Sequence, residues 1–387
     1  MSLLDVVEPD FMRDDELVML RQSFARFLER EAPPERTARW REQGMVDREF
    51  WTKAGEAGFL GVSLPAEYGG GGGDIRHDVV LIDEVVRKEA SGFAISLHNG
   101  VVSPYFATHG TEEQKRRWIP RLSNGELLAG VAMSEPDVGS DLQKMRTTAI
   151  RDGNGYRING QKTFITNGQL SDLIVVAAKT DPGAGARGVS LLVVETDDAE
   201  GFRRGRKLKK IGNEAQDTSE LFFDNVWVPA DNLLGAEEGQ GFRQLMTELP
   251  KERLIIALQA MAMIEVAIEE TISYVKERRL FGQALIDFQN TQFKLAEAKT
   301  EATIARTFVN ECLRELHEKR LTTTKASMAK YWISELQGRI VDTCLQMYGG
   351  YGYMDEYRIG RMYKDARVTR IYGGANEVMK VVIARSL

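Results

Sequence analysis

Between Leu254 and Val275 the apolar residues Leu254, Leu258, Met261, Ile264, Ile268, Ile272 and Val275 advance by steps of three and four. A stripe this long fits only an amphipathic helix with one face in a core, ending near Phe281-Gly282. A second stripe runs through Phe293, Leu295, Ala298, Ala302, Ala305, Phe308 and Cys312, a third occupies Ala326 to Tyr348, and a shorter one closes the chain from Asn376. Four such helices predict an antiparallel bundle over residues 238–387. The two cysteines, Cys312 and Cys344, fall inside these patterns and read as buried thiols, not as a disulfide or metal framework.

The first 126 residues also read as helical. Leu17, Leu20, Phe24, Phe27 and Leu28 line one face until Pro33-Pro34 stops the helix, and further helical patterns cover Arg48 to Gly58, Asp78 to Ser91, Phe93 to Thr108 and Thr111 to Leu122. The glycine run Gly69 to Gly73 lacks the Lys-Ser/Thr of a phosphate loop and is expected to be a flexible surface loop. Over residues 127–237 the pattern changes to short alternating runs. Thr147 to Arg151, Tyr156 to Asn159, Leu173 to Ala178, Val189 to Val194 and Leu221 to Val228 read as strands, with turns at Asp152 to Gly155, at Asn159-Gly160 and over Asp181 to Gly188. The expected class is therefore α+β: an N-terminal helical domain (1–126), a middle β domain (127–237) and a C-terminal four-helix bundle (238–387). Ligand sites favour such domain junctions.

A chain of 387 residues is too long for one core, so two or three subdomains are expected. With 51 basic against 57 acidic residues, the net charge of −6 argues against a nucleic-acid surface. His77, His98, His109 and His317 are scattered without metal-ligand spacing, so no metal is expected. No apolar run approaches a membrane span, and the amino end, MSLLDVVEPDF, has no basic or cleavable segment, so a cytoplasmic protein is the expectation.

Two stretches carry the candidate chemistry. In Ala132 to Asp141, AMSEPDVGSD, the hydroxyls of Ser134 and Ser140 and the small Gly139 suit the edge of a flat heterocycle, with Glu135 and Asp141 anchoring the turn through backbone bonds. The same stretch reads equally well as an ordinary polar turn. In Lys162 to Gly168, KTFITNG, Phe164, Ile165 and Thr166 are expected on one strand with alternating faces, an aromatic surface beside a hydroxyl.

Together with ERRLFGQ (Arg278, Phe281, Gly282), QMYGGY (Gln346 to Tyr351) and the C-terminal IYGGANE, these segments resemble the acyl-CoA dehydrogenase family of flavoproteins over essentially the whole chain. From Glu248 onward the likeness is to its long-chain members. The resemblance implies FAD-dependent dehydrogenation of acyl-CoA thioesters, medium to long in chain, with an electron-transferring flavoprotein as acceptor and a homotetrameric assembly. Such a reaction needs a carboxylate on one side of the Cα–Cβ bond, a hydride acceptor on the other, and donors aimed at the thioester oxygen.

In many members a tail-loop glutamate is the base, at the position held here by Gly373, which cannot take a proton. By resemblance to long-chain and isovaleryl members, Glu252 in ELPKERL takes that role, and Pro250 is expected to start its helix, placing Glu252 in the first turn. Val131, Met133, Ser134, Gly139, Ser140, Phe164, Ile165 and Thr166 resemble the contacts to the flavin ring and ribityl chain. Arg278, Phe281 and Gln289 resemble an arm reaching the ADP half of FAD in a neighbouring subunit, with Gln346, Gly349 and Gly350 closing on the pyrophosphate. Ala375 stands where many relatives have Thr, and Glu377 remains a cofactor candidate. Ser140, Arg253, Tyr372 and the Gly373 backbone are the substrate candidates. A short branched-chain (isovaleryl-type) dehydrogenase shares the base position, and a non-catalytic flavin- or nucleic-acid-binding homologue is the third reading.

Overall fold

The computed structural model describes residues 3–90 and 92–387. Leu17, Phe24, Phe27 and Leu28 share the buried side of α1 (Asp15–Glu31). The prolines after it do more than stop a helix. Pro34 opens α2 (Pro34–Gln43), an element too polar for its apolar spacing to show. After α3 (Arg48–Glu56), a capping box between Asp74 and His77 starts α4 (Ile75–Arg87) earlier than the apolar pattern does, and its expected end, Ser91, lies outside the described residues.

The glycine run is not a flexible loop. The amides of Gly70, Gly71, Gly72 and Gly73 bond to the carbonyls of Pro65, Gly61, Leu64 and Val62, and a Cβ on Gly70 would lie 2.4 Å from the Leu64 carbonyl oxygen. The run is glycine because the chain folds back on itself with no room for side chains.

The stretch expected as one helix over Phe93 to Thr108 is three pieces: α5 (Ile95–Leu97), a π-helical turn over His98–Val102, and α6 (Ser103–His109). Pro104 has no N–H to donate, and just before it the Ser103 amide reaches back to the His98 carbonyl. This wide turn re-phases the helix that follows. α7 (Glu112–Ser123) is capped by Thr111 and ends the helical layer.

The middle region is a seven-stranded sheet of β1 (Ala129–Ala132), β2 (Thr148–Asp152), β3 (Gly155–Thr166), β4 (Leu173–Lys179), β5 (Val189–Glu195), β6 (Phe202–Lys207) and β7 (Thr218–Pro229), ordered β1-β4-β2-β3-β7-β6, with β5 also on β4. The expected Asn159-Gly160 turn is absent. Gly160 sits in a bulge within β3, which continues through Thr166 antiparallel to β7. β1 is short and β6, Phe202-Arg-Arg-Gly-Arg-Lys, is too polar, so alternation gave no sign of either.

The last region is built on α8 (Gly241–Glu277), a 37-residue helix. A tight hairpin, β8 (Arg279–Leu280) and β9 (Gln283–Ala284), leads to α9 (Gln289–His317) and α10 (Thr323–Tyr348). The shorter α11 (Arg358–Ala366) and α12 (Asn376–Ala384) close it, and α10 packs against α8, α9, α11 and α12. Leu295, Ala298, Ala302, Ala305 and Cys312 are buried as their spacing requires, whereas Phe293, placed in the same stripe, is exposed. Cys312 and Cys344 are free, buried thiols.

Candidate active site

Pro250 does not begin a helix. It lies inside α8, and Glu252 is in the body of that helix, so no N-terminal dipole stabilises its carboxylate. Its environment acts in the opposite sense. Glu252 is only 6% exposed, and burial pushes its carboxyl up to about 7, helped by the negative charge of Glu248 and opposed by a hydrogen bond from Tyr105 and by Arg253 and Lys251. The Tyr105 hydroxyl donates to Glu252 Oε1 at 2.8 Å, while Oε2 accepts no hydrogen bond among the described residues. Tyr105 comes from α6, and nothing in the sequence pairs it with Glu252. A turn away on each helix, His109 Nε2 and Glu248 Oε1 are 2.9 Å apart, so this histidine too has a carboxylate partner that its chain position did not reveal.

The tail loop lies against the same helix. Gly373 has φ +64°, and a Cβ there would lie 2.2 Å from Ile256 Cδ1, so the loop backbone rests on α8 one turn beyond Glu252. The Gly373 amide donates to no acceptor among the described residues. Tyr372 lines a small cavity of about 50 Å³ with Gln259 and Met263, further along α8, and with Gly92. The loop is fixed from behind. Lys330 of α10, fully buried, donates to Gly374 O at 2.7 Å and to Asn376 Oδ1 at 2.9 Å, and burial together with Arg253 lowers it to about 8.

Arg253, proposed from sequence as a substrate contact, turns away from Glu252. Its Nη1 bonds Ser327 Oγ of α10 at 3.1 Å, and its buried Nε is unpartnered. It faces α10 instead, since adjacent helix residues do not share a face. Ala375 precedes α12 as its N-cap and Glu377 is exposed in the first turn.

On the sheet side, Val131 and Met133 pack on the apolar cluster that holds Tyr105 and Leu245, which brings the exit of β1 to the α6–α8 contact. Glu135, also 6% exposed, anchors the turn as its position suggested. It accepts from the Arg146 and Thr147 amides at 2.6 and 2.9 Å and from Lys162 Nζ at 3.0 Å. Asp141 does not anchor the backbone; it is exposed and pairs with Lys144 at 3.2 Å. Ser134 is half-buried, and its carbonyl accepts the Thr163 amide at 3.0 Å, joining the two candidate stretches. Gly139 and Ser140 are exposed.

The expected alternation over Phe164, Ile165 and Thr166 is broken by a second bulge. Phe164 takes φ +59° and is 69% exposed, and Thr166 is half-buried. Ile165 is buried in the core of the sheet, so its side chain cannot face a cofactor. An exposed aromatic ring beside half-buried Ser134 and Thr166 is a wall that fits a flat, polar-edged ring.

A separate groove of about 780 Å³ is lined by Arg278, Gln346, Gly349 and Gly350, with Tyr274 and Lys294. A Cβ on either glycine would meet nothing within 4 Å, and Arg278 lies over the Tyr351 ring at 5.5 Å, leaving open space beside a guanidinium that suits a phosphate, although the Gly349 amide is already bonded to the Gln346 carbonyl. Phe281 and Gln289 do not line it. Phe281 caps the β8–β9 hairpin at φ +51° and is 93% exposed, with the Phe288 ring 6.5 Å from its own; Gln289 is exposed at the start of α9.

Three family models cover nearly the whole chain: acyl-CoA dehydrogenase N-terminal domain over residues 14–126, middle domain over 130–226 and C-terminal domain over 239–387. The chain belongs to the acyl-CoA dehydrogenase family. FAD-dependent dehydrogenation is the reaction of that family, and the chain is a flavin-linked oxidoreductase of this class. Among its relatives, the mitochondrial long-chain specific acyl-CoA dehydrogenase of Sus scrofa is 48% identical over 95% of this chain and 86% of its own length. A caffeyl-CoA reductase–Etf complex subunit of Acetobacterium woodii is 36% identical over 95% of this chain and 97% of its own. The crystal structure of an acyl-CoA dehydrogenase from Geobacillus kaustophilus superposes with a TM-score of 0.93 at 49% identity, covering 96% of this chain and 98% of that one.

Proposed function

We propose that the chain oxidises medium- to long-chain acyl-CoA thioesters to trans-2-enoyl-CoA, with Glu252 removing the α-proton. The carrying observation is a buried carboxylate held near neutrality, with one oxygen fixed by Tyr105 and the other free, on the α8 face that also carries Ile256 and the tail loop. A base of that strength is half-ionised near neutral pH, so it can both take the α-proton and release it again in turnover. The unpaired Gly373 amide donates to the thioester oxygen as negative charge builds there. Bound FAD supplies the acceptor for the β-hydride. Phe164, Ser134, Thr166 and Met133 would hold its ring, and Arg278, Gln346, Gly349 and Gly350 of a neighbouring subunit would hold its phosphates.

The preference for longer chains is supported by likeness to a long-chain specific relative, and an electron-transferring flavoprotein as acceptor by likeness to a subunit of an Etf complex. The projecting Phe281 arm supports a homotetramer in which one subunit's arm completes a neighbour's cofactor site. Light scattering of the purified protein tests the assembly. Anaerobic titration with acyl-CoA esters of graded length, watching flavin bleaching, tests substrate and half-reaction together. Glu252→Gln is expected to stay yellow and to lose at least about two decades in the rate of bleaching; an unchanged rate would remove Glu252 from the mechanism.

A further inference from the structure

The base does not stand alone on α8. Two pairs of side chains face each other across the α6–α8 contact: Tyr105 with Glu252 at 2.8 Å, and His109 with Glu248 at 2.9 Å. Each helix contributes residues one turn apart, and the Tyr105 and His109 rings are 6.0 Å from one another. The two pairs therefore stack as successive rungs between antiparallel helical faces. The π-helical turn over His98–Val102 and the proline after it bring this face of α6 onto α8.

We propose that Tyr105 is a positioning residue for the base: its phenol fixes Glu252 Oε1 so that Oε2 alone meets the α-proton, with the His109–Glu248 pair as a second rung holding the same helices in register. This rests on the reading of Glu252 as the base. A lone carboxylate rotates about its last torsion, which is broad, and presents either oxygen at any angle. A hydroxyl donated from a fully buried ring removes that freedom, and burial holds the phenol well above its ordinary range, so it remains a donor at every working pH. Proton and charge balance as the α-C–H bond breaks. The proton goes to Oε2, the phenol keeps its own, and the hydrogen bond passes from a carboxylate to a neutral acid.

The rungs act on the base with opposite sign. Tyr105 favours ionised Glu252 by donating to it, whereas Glu248 disfavours it by like charge. The other charges that act on Glu252 are its chain neighbours Lys251 and Arg253, through space and from other faces of α8. Lys251 is 3.8 Å from Asp78 of α4, and Arg253 has buried Lys330 of α10 beside it.

The test is anaerobic stopped-flow reduction of the FAD-loaded enzyme by a saturating acyl-CoA between pH 6 and 9, with FAD content and melting recorded for each variant. Tyr105→Phe is expected to reduce about tenfold more slowly, the scale of one hydrogen bond to a charged group, and to move the acid limb of the profile to higher pH. Glu248→Gln is expected to move that limb to lower pH. Loss of packing alone would not move the limb in opposite directions. If Tyr105→Phe leaves both rate and limb unchanged while Glu252→Gln is inert, the proposal falls and the assignment of the base stands. If Glu252→Gln is reduced normally, the base assignment itself fails. Should Tyr105→Phe lose FAD or melt early, Glu248→Gln decides: a downward shift supports the ladder, and no shift overturns it.

Discussion

Glu135 in the sheet region and Glu252 in the bundle are each 6% exposed, yet their surroundings drive them in opposite directions. Burial raises both, but around Glu135 it is overcome by the Lys162 ammonium and two backbone amides, which leave its carboxyl below the ordinary range. Around Glu252 there is one phenol, a like charge a turn away, and an arginine that points elsewhere, and burial wins. The number of donors, not depth, decides which buried acid is held ionised and which is pushed toward neutrality. The two buried lysines do not repeat the contrast, since burial lowers both to about 8 although their partners differ. Lys162 has a carboxylate, whereas Lys330 has only a carbonyl and an amide oxygen, and it holds the loop that carries the Gly373 amide.

The comparison can be broken most sharply at the sheet. Glu135→Ala strands the Lys162 charge and is expected to cost about 3–5 kcal/mol at pH 7 in denaturant unfolding. Because the folded value of Glu135 is depressed, this stabilisation is present above its ordinary value of 4.5 and is lost as pH falls through the folded one. Glu252 has the reverse linkage. Its value rises from 4.5 to about 7 on folding, so ionisation destabilises the fold, increasingly from pH 4.5 upward and fully above about 7. Glu252→Gln should therefore gain about 3 kcal/mol over the parent at pH 8, and the gain should vanish below about pH 4.

A smaller effect is expected at the tail loop. Gly373→Glu meets a positive φ and Ile256 Cδ1, so it should cost about 1–3 kcal/mol in thermal or chemical melts, partly recovered by Ile256→Ala. Rescue of a Glu252→Gly variant by Gly373→Glu should accordingly be stronger with Ile256 truncated, read as flavin bleaching by acyl-CoA. The smallest change is at the exposed arm. Arg278→Ala removes a guanidinium stacked on Tyr351 and should leave stability within about 1 kcal/mol, while FAD content after gel filtration falls.

Local chemistry made much of the fold legible. The α1 and α8 stripes, the hairpin turn at Asp152 to Gly155 and the strands of the sheet are written in periods of 3.6 and 2. What escaped was set by neighbours. β6 is polar because it needs only one side against β7, and Gly70 to Gly73 look loose until their hydrogen-bond partners at Gly61 to Pro65 are seen. Pro250 signals a helix start by propensity, but α8 was already formed nine residues earlier and packing carried it through. In the site, the sequence pointed to Glu252 through the empty position at Gly373. It placed Arg253 and Ile165 on faces that the helix and the bulged strand do not give them.

By itself the sequence determined the family, the succession of helical, sheet and helical regions, and a candidate for the acid missing from the tail loop. Only the tertiary structure decided what that acid is. Its hydrogen-bond donor lies 147 residues away in the chain, and its titration depends on how many dipoles reach a space closed to water. Periodicity specifies which side of a helix is buried, but desolvation and hydrogen bonding are properties of the groups that meet there.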